Sequence, residues 1–345
     1  MATIRYRFLL KLLALVTLFY GVYCAICQHS FQKFLGTLNI GFDDFPLEYA
    51  RALNESVSNG QQPTDFNYTS VYPQTKIPRT IHYIWFKNLY ESYEGHTKIP
   101  SMGSRSPEIC REHNPDYEIR MWNASSAREF FETEYKWFLP TYDGYRYPIQ
   151  RIDALKYFVL WHYGGVYMDL DIACRRPLDP LLAFPAWFPE ASPLGVNNDL
   201  MASAPRHPIL RRMTEGLVSH NWNLLFPYLT IFWTTGPQFT SDILREWYGE
   251  FGGRDLTVPF HKQNAGTDAF FVLPQIFYSE EYTFFGHSPG GTWHGSDVAV
   301  ILWLVDRLWV VIGFTIAFVG TLVAILKRRQ IGVLLNKKQH YYSSV

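Results

Sequence analysis

The sequence has no surplus of charge of either sign, since 31 Lys and Arg residues balance 31 Asp and Glu residues. Without a net charge the protein has no overall field that would recruit nucleic acid or an acidic partner, so a local site must bind any charged substrate. No internal repeat or low-complexity tract interrupts the central part of the chain. The 345 residues, 48% hydrophobic and 17% aromatic, exclude a disordered protein and predict one large domain or two small ones.

Cysteine is also scarce, with four residues in the whole chain. Cys24 and Cys27 lie at the end of a long apolar run, whereas Cys110 and Cys174 lie in the central part of the sequence. The central pair either forms one disulfide bond or remains as buried thiols, and the sequence leaves both possibilities open.

Two apolar runs, 8–27 and 308–326, each have about the length of a helix that spans a bilayer. Lys11 is the only charged residue in the first run, the second has none, and basic residues flank the outer end of each. We expect two retained transmembrane helices. A cleaved signal peptide is the alternative for the first run, and a buried helix of a soluble core is the alternative for the second. By the positive-inside rule both termini are then cytosolic.

Three glycosylation sequons, at Asn54, Asn67 and Asn123, lie between the two runs, which suits a lumenal domain of a secretory organelle. The polar stretch before residue 77 has weak periodicity and is typical of a membrane-proximal stem. The predicted segments are a cytosolic N-terminus (1–7), a transmembrane anchor (8–27), a lumenal stem (28–76), a folded domain (77–297), an interfacial segment (298–307), a second transmembrane helix (308–326) and a cytosolic tail (327–345).

The central region alternates between strand and helix patterns. Residues 80–86 and 117–122 are β-branched and aromatic runs that predict strands, and the apolar face that starts at Pro148 predicts a helix. Gly164 and Gly165 supply a stop before the next strand. Such alternation favours an α/β domain with a mostly parallel sheet, in which ligands gather at the carboxyl ends of the strands.

Two carboxylates, Asp169 and Asp171, stand where that last strand ends. They point to the same side if the backbone is extended or diverge around a tight turn, and either arrangement offers oxygen ligands to a hard divalent cation. Such a cation neutralises a diphosphate and stabilises it as a leaving group. Arg175 and Arg176 follow, either as phosphate contacts or as surface charges.

Five stretches occur in an order that resembles DXD-containing glycosyltransferases of the GT-A fold, in the group of fungal initiating and sphingolipid mannosyltransferases. They are IPRTIHYIWF, NPDYEIRMWN, RIDALKYFVLWHYGGVYMDLD, TTGP and GGTWHGSD. More narrowly, GTWHGSD followed at once by an apolar span resembles the inositol phosphorylceramide mannosyltransferases. The resemblance implies a Rossmann-like GT-A domain with a mostly parallel sheet, flanked by an N-terminal and a C-terminal transmembrane helix.

The resemblance also implies a metal and donor site. Asp169 and Asp171 would bind Mn2+ or Mg2+ together with the sugar-nucleotide diphosphate, and His294 would be a third protein ligand or a diphosphate contact. Asp153 would accept hydrogen bonds from the donor sugar as a further catalytic carboxylate, and Arg151 would fork to Asp153 or to a phosphate. Helix capping and a surface ion pair are the alternative for those last two residues.

Three more residues complete the implied donor site. Trp85 would stack on the nucleotide base, or else it is an ordinary core tryptophan. Thr235 and Gly236 belong to the TTGP stretch, which would border the donor sugar and the acceptor; taken alone it is an ordinary turn. His82 is interpreted as a core histidine outside the chemistry.

The implied reaction is the retaining transfer of mannose from GDP-mannose to the inositol headgroup of inositol phosphorylceramide. Two alternatives stay open, an α-mannosyltransferase of the Golgi that acts on N-linked glycans and a catalytically silent membrane subunit with the same fold. The expected location is the Golgi membrane, with the catalytic domain in the lumen. The resemblance further implies a multi-pass regulatory subunit as a partner. No nucleic acid is expected as a partner, because the charges balance.

Overall fold

The computed structural model describes residues 2–60, 66–86, 105–192, 194–251, 266–278, 283–287 and 296–307, with the single residues 313 and 321. The chain forms two units, Met1–Thr292 and Trp293–Val345. The first unit holds the sheet and the candidate site. The second is described chiefly through one helix.

Helices and strands alternate through most of the first unit. The helices are α1 (Ala2–Thr37), α2 (Leu47–Asn59), α3 (Tyr68–Val71), α4 (Ser106–His113), α5 (Ala124–Glu134), α6 (Leu139–Gly144), α7 (Pro148–Tyr163), α8 (Asp179–Leu182), α9 (Pro208–Ser219), α10 (Pro227–Thr234), α11 (Pro237–Glu246), α12 (Gln275–Tyr278) and, in the second unit, α13 (Ser296–Asp306). The strands are β1 (Thr80–Ile84), β2 (Glu118–Trp122), β3 (Gly165–Met168), β4 (Ile172–Cys174), β5 (Ala186–Pro189), β6 (Leu200–Ser203), β7 (Phe271–Leu273) and β8 (Phe285–His287). Short 3-10 turns, Phe42–Asp44 and Lys136–Phe138, and a π turn, Trp247–Phe251, complete the described elements.

Helix α7 leads directly into the strand that ends at the two aspartates. It begins at Pro148, whose fixed φ and missing N–H suit the first turn of a helix. It stops at Gly164, which has φ +67°, and a Cβ there would come within 2.7 Å of the Pro205 ring. The adjacent Gly165 has φ +99°. Two left-handed glycines therefore turn the chain from helix into β3, which confirms the stop that the sequence predicted.

In the described part of the chain six strands form one sheet in the order β2-β1-β3-β6-β5-β7. Strand β1 is parallel to β2 and to β3, and β5 is parallel to β7. Strand β6 runs antiparallel to both of its neighbours, β3 and β5. The predicted α/β fold with a mostly parallel sheet is confirmed. Strands β4 and β8 form a separate antiparallel ladder.

The pleat of the strands divides the apolar core into two layers. In β3, Val166 and Met168 pack into one layer with Tyr49 of α2. Tyr167, between them, packs into the other layer with Leu155 and other residues of α7. Successive side chains of a strand point to opposite faces, so a run that is apolar throughout, as this one is, fills both layers.

Residues 31–53 belong to this packed core rather than to a separate stem. Phe31 and Phe34 of α1 are buried in the α7 layer, and Tyr49 and Leu53 of α2 are buried in the opposite layer. The last turns of α1 and the helix α2 each contribute only a few core residues, so the sequence shows little periodicity although the segment is well packed. The folded part of the chain therefore starts within α1 and not at residue 77.

One disulfide bond joins Cys110 of α4 to Cys174 of β4, and the Cα atoms are 4.8 Å apart. The structure thus selects the first of the two possibilities that the sequence left open. The bond fastens α4 beside the strand that directly follows the two aspartates.

Within the described residues, no helix is both long enough and apolar enough to cross a membrane. The first predicted span, 8–27, falls within α1. The second, 308–326, lies outside the described residues except for Gly313 and Thr321.

Candidate active site

Three strand ends meet at one edge of the sheet. Parallel β1 and β3 are in register with Ile81 opposite Val166, so Trp85, after β1, and Asp169, after β3, leave the sheet at the same edge. Strand β6 is antiparallel and therefore begins there. Asp199 precedes it, and its carbonyl oxygen accepts a hydrogen bond from the Asp169 amide at 2.8 Å.

A buried lysine lies at the centre of this edge. The Lys156 Nζ is 3.0 Å from Asp153 Oδ1 and 3.3 Å from Asp169 Oδ1. It also lies over the Tyr167 ring, 4.9 Å from the centroid. Burial by itself would lower the pKa of Lys156, but the carboxylates of Asp169 and Asp153 together raise it above its ordinary value. The side chain is therefore a cation held between carboxylates.

Asp153 is buried one helical turn before Lys156 and is fully hydrogen-bonded. Its Oδ2 accepts from Thr235 Oγ1 at 3.0 Å, and its Oδ1 accepts from Asn198 Nδ2 at 3.3 Å. Burial raises the pKa of Asp153, and Lys156 opposes the rise. Two residues that the sequence assigned to the donor site, Asp153 and Thr235, are thus brought together, each as the partner of the other.

The Thr235 backbone is held just as closely. The Tyr157 hydroxyl donates to the Thr235 carbonyl, and Gly236 then caps α11. A Cβ on Gly236 would lie 3.1 Å from the Ile231 carbonyl oxygen and from Phe232 Cα. Any residue can adopt the Gly236 φ of −88°, so backbone conformation does not require a glycine here. The glycine is needed because a side chain would block the close approach of α10 to α11.

The two aspartates of the DXD motif flank a tight turn, so the backbone between them is not extended and the turn is the one present of the two backbone arrangements that the sequence allowed. The Asp169 carbonyl accepts from the Ile172 amide at 3.1 Å, which closes the turn. The Asp169 side chain is 34% exposed and accepts a hydrogen bond from the Tyr167 hydroxyl. Burial and the neighbouring Asp169 raise the pKa of Asp171 to about 6. Asp171 is half-buried and Asp169 is 34% exposed, so both carboxylates border solvent at a site of excess negative charge.

Asp199 is a fourth carboxylate of this edge, and sequence reasoning missed it. Its Oδ2 accepts from Asn197 Nδ2 at 2.6 Å and from the Tyr278 hydroxyl, whereas its buried Oδ1 has no hydrogen-bond partner among the described atoms. Burial and Asp169 raise the pKa of Asp199 to about 7. The only signal in the sequence was the polar triplet at residues 197–199. It lies at the site because β6 runs antiparallel to β3 and therefore begins at this edge.

The edge suits a divalent cation. In the described part of the chain four carboxylates, those of Asp153, Asp169, Asp171 and Asp199, influence one another around one ammonium group, that of Lys156. Ionised together they leave three negative charges without a counterion. Carboxylate oxygens are the ligands that Mg2+ and Mn2+ take, and the buried Asp199 Oδ1 is an acceptor that no described donor fills. Among the described residues no three acidic, histidine or cysteine side chains are grouped closely enough to enclose a metal by themselves.

Two other predicted donor-site residues are differently placed. Trp85 lies half-buried at the edge, with its amide bonded to the Trp122 carbonyl at 2.8 Å, and its stacking role stays a prediction. The Arg151 guanidinium donates to carbonyls of the segment before α7, at 3.0 Å for Tyr142 and 2.9 Å for Tyr145. Its described contacts hold that segment rather than Asp153, so the fork to Asp153 is absent among the described contacts, and the alternative contact with a phosphate stays a prediction.

Three histidines, His82, His287 and His294, bear on the site. His82 is buried, with Nε2 2.9 Å from the Gly164 carbonyl and Nδ1 3.2 Å from Trp122 Nε1, and burial lowers its pKa to about 4. It is a neutral core histidine, as predicted. His287 pairs with Ile172 across the β4–β8 ladder, one residue past the DXD motif. His294 lies outside the described residues, and its predicted metal role is untouched.

Arg176 is neither a surface charge nor an exposed phosphate contact. It is 1% exposed, its Nε donates to the Thr283 carbonyl at 2.9 Å, and its Nη2 donates to Ser56 Oγ at 3.0 Å. Ser56 lies in α2, so the buried arginine fastens the N-terminal segment to the body of the domain.

The asparagines of all three sequons, Asn54, Asn67 and Asn123, are exposed. Two of them cap helices: Asn67 Oδ1 accepts from the Ser70 amide at 3.1 Å, and Asn123 Oδ1 accepts from the Ser126 amide at 2.9 Å. Exposure satisfies the first requirement for a glycan at each position.

Residues 100–187, which include the two aspartates, match the family described as "Glycosyltransferase sugar-binding region containing DXD motif". Inositol phosphoceramide mannosyltransferase 3 of Schizosaccharomyces pombe is 36% identical over 238 residues, which are 69% of this chain and 61% of that protein. Mannosyl phosphorylinositol ceramide synthase SUR1 of Saccharomyces cerevisiae is 35% identical over 268 residues, 77% of this chain and 65% of that protein. For both, the matched region is less than two thirds of the relative's length. Inositol phosphoceramide mannosyltransferase 1 of Schizosaccharomyces pombe is 33% identical over 276 residues, 76% of this chain and 79% of that protein.

Proposed function

Because the chain belongs to the DXD glycosyltransferase family that includes the inositol phosphoceramide mannosyltransferases, we propose that it is a retaining α-mannosyltransferase of sphingolipid synthesis. Its donor is GDP-mannose and its acceptor is the inositol headgroup of inositol phosphorylceramide. The related proteins that carry such names supply the substrate class. The fold that the proposal requires is GT-A, with transmembrane helices on either side.

The observation that carries the proposal is the carboxylate cluster at the carboxyl edge of the sheet. Asp169 and Asp171 border solvent, and the Asp199 Oδ1 beside them has no described partner. These residues would hold Mn2+ or Mg2+, with His294 as a candidate further ligand, and a cation bound there would neutralise the donor diphosphate and stabilise it as a leaving group. Trp85 would stack on the guanine base.

Asp153 and Lys156 act in this proposal by positioning. Both Asp153 oxygens are occupied, by Lys156, Asn198 and Thr235, so Asp153 orients the lysine instead of reaching the sugar itself. Lys156 in turn fixes the outer aspartate, Asp169. A preorganised charge arrangement lowers the barrier because little rearrangement is needed as the leaving group develops charge.

The configuration at the anomeric carbon is retained because the acceptor attacks the same face of the sugar from which the diphosphate leaves. The inositol hydroxyl attacks the anomeric carbon as the bond to the diphosphate breaks, and the diphosphate oxygen takes the hydroxyl proton. The chain's residues orient the two reactants and exclude water. A mannosyl adduct trapped on Asp199 would contradict this route and favour a covalent intermediate.

The location of the enzyme belongs to the proposal as well. The Cys110–Cys174 disulfide suits an oxidising compartment, and the exposed sequons suit the lumen of a secretory organelle. We place the catalytic domain in the Golgi lumen with both termini cytosolic, in association with a multi-pass regulatory subunit.

Transfer assays with the purified full chain test the proposed function. GDP-[14C]mannose and Mn2+ are supplied with inositol phosphorylceramide in mixed vesicles or, separately, with an oligomannose glycan. We expect transfer to the lipid alone, at least about 100-fold reduced in Asp171→Asn and unchanged in Asp116→Asn, an exposed aspartate outside the site. Transfer to the glycan alone would replace the lipid with the glycan as acceptor, and no transfer with the regulatory subunit present would favour a silent module.

A further inference from the structure

The segment between α9 and α10 combines two properties that are rare on a protein surface. From residue 216 to residue 241 the chain contains no Asp, Glu, Lys or Arg. Within this stretch residues 221–227 are all exposed, including Leu225 at 89%, Trp222 at 48% and Phe226 at 41% of their surface. We call residues 221–227 the apolar tip. A contiguous exposed apolar patch is typical of a binding surface rather than of ordinary protein exterior.

The apolar tip is joined to the candidate site by a single short helix. Helix α10 starts at Pro227, where the tip ends, and finishes at Thr234, next to the Thr235 that donates to Asp153. Eight helical residues span about 12 Å. Thr230 fastens the start of the helix, since its hydroxyl accepts from the Leu224 amide at 3.0 Å. The tip is therefore held at a fixed and short distance from the reacting region.

Polar groups surround the base of the tip. Asn221 and Asn223 alternate with the apolar residues, and Arg146 Nη1 donates to Asn223 Oδ1 at 3.1 Å. Arg146 is exposed, and Arg151 holds the carbonyl of its neighbour Tyr145. An apolar end with aromatic residues, amides and a cation at its base matches the layered chemistry of a membrane interface.

We propose that the apolar tip inserts into the interfacial layer of a lipid bilayer and holds the active site at headgroup height. Arg146 then lies at the level of the lipid phosphates. This inference rests on the proposed function, because a lipid acceptor is what requires the site to stay at the bilayer surface. A second copy of the chain is a poorer occupant: the tip exposes on the order of 400 Å2, about half of what each partner buries in a stable interface.

The depth of the tip in the membrane is the direct test, and it needs neither donor nor acceptor. In a Cys24→Ser, Cys27→Ser background, the full chain carries a nitrobenzoxadiazole label on Leu225→Cys and is reconstituted in phosphatidylcholine vesicles with brominated acyl chains. Leu47→Cys is the matched control, an exposed leucine on α2 over the opposite face of the sheet. We expect at least about twofold stronger quenching at position 225 than at position 47. Equal quenching, or a label at 225 shielded from aqueous iodide without quenching by the lipid, overturns the proposal.

Activity provides the second readout. Leu225→Asp should lower kcat/KM for vesicle-borne inositol phosphorylceramide about tenfold, the effect of losing one buried leucine, and leave the KM for GDP-mannose unchanged. Transfer to a soluble inositol phosphate should be unaffected, as should both reactions in Leu47→Asp. An equal loss with both acceptors would contradict the proposal. Lipid quenching at 225 without any mannose transfer would keep the membrane contact and reject the proposed function.

Discussion

The two ends of helix α10 follow opposite rules of burial. Beyond its C-terminal end, Thr235 donates to the buried carboxylate of Asp153, which is paired with the buried Lys156; before its N-terminal end, Leu225 is 89% exposed. Burying charge costs folding free energy, and an exposed large aliphatic side chain contributes none of the stabilisation that its burial would bring. Neither is required by an α/β sheet, so the exceptions at both ends are better explained by ligands than by stability.

The difference between the ends lies in how each depends on its neighbours. The carboxylate cluster is a network in which Asp153, Lys156, Asn198 and Thr235 each satisfy another member. The apolar tip has few such partners. Substitutions that preserve shape but remove charge should therefore damage the cluster severely, whereas the tip should respond only to a change of polarity.

Removal of the central cation should have the largest effect. Lys156→Met leaves Asp153 and Asp169 without their counterion, so we expect the free energy of unfolding to fall by about 3–5 kcal/mol. Urea unfolding followed by near-ultraviolet circular dichroism measures it. Lys156→Arg keeps the charge and should recover part of the loss. A Lys156→Met protein as stable as the wild type would show that the carboxylates are not paired through this amine.

The second effect is the acid sensitivity of His82, a buried neutral group that can be compared with the buried charge of Lys156. Burial lowers the pKa of His82 to about 4, against about 6.5 in the unfolded chain, so the unfolded state binds the proton first as the pH falls. The contribution of the neutral His82 to the free energy of unfolding is therefore fully present above pH 6.5, and about 3 kcal/mol of it is lost as the pH falls to 4. His82→Gln should lose less stability over that range. Parallel pH dependences of the two proteins would contradict the assignment of His82 as a neutral core residue.

The third effect concerns the residue that the sequence did not reveal. Asp199→Asn keeps the shape of the side chain but removes a carboxylate oxygen that no described donor fills, so divalent-cation affinity should weaken about 10–100-fold while stability holds or rises. The Mn2+ concentration for half-maximal activity measures this, with Asp116→Asn as the control. An unchanged Mn2+ requirement would remove Asp199 from the metal site.

The smallest effect belongs to the tip. Leu225→Ser removes an exposed side chain, so the free energy of unfolding should change by less than about 0.5 kcal/mol. Thermal unfolding in detergent gives the value, and Val218→Ser, another exposed apolar residue nearby in sequence, is the comparison. A large destabilisation would mean that the tip is part of the fold, in conflict with its description as a ligand surface.

The sequence predicted the elements whose signals are local. The apolar face of α7, the glycine stop at Gly164 and the two aspartates after β3 are each visible within a few residues. Asp199 could not be found in that way, because it joins the site only through the antiparallel direction of β6. The contacts of Arg151 could not be predicted for a related reason: its described partners are backbone carbonyls, which leave no mark on the sequence. Its alternative role as a phosphate contact stays a prediction.

The extent of the domain was also beyond local reasoning. Residues 31–53 have weak periodicity, yet Phe31, Phe34 and Tyr49 are almost fully buried. They precede the alternating strands and helices in the sequence, and they complete the two core layers on either side of the sheet. The apolar tip posed the opposite difficulty. Its residues look like ordinary core in the sequence, and only the structure shows that they face outwards.

Binding of GDP to the full chain, measured by isothermal titration with and without Mn2+, tests the carboxylate cluster most directly. We expect Mn2+ to strengthen GDP binding at least about 100-fold in the wild type and Asp171→Asn to abolish this dependence. GDP binding of equal strength with and without Mn2+, or a dependence that survives in Asp171→Asn, would contradict the claim that this sheet edge holds a metal and a diphosphate.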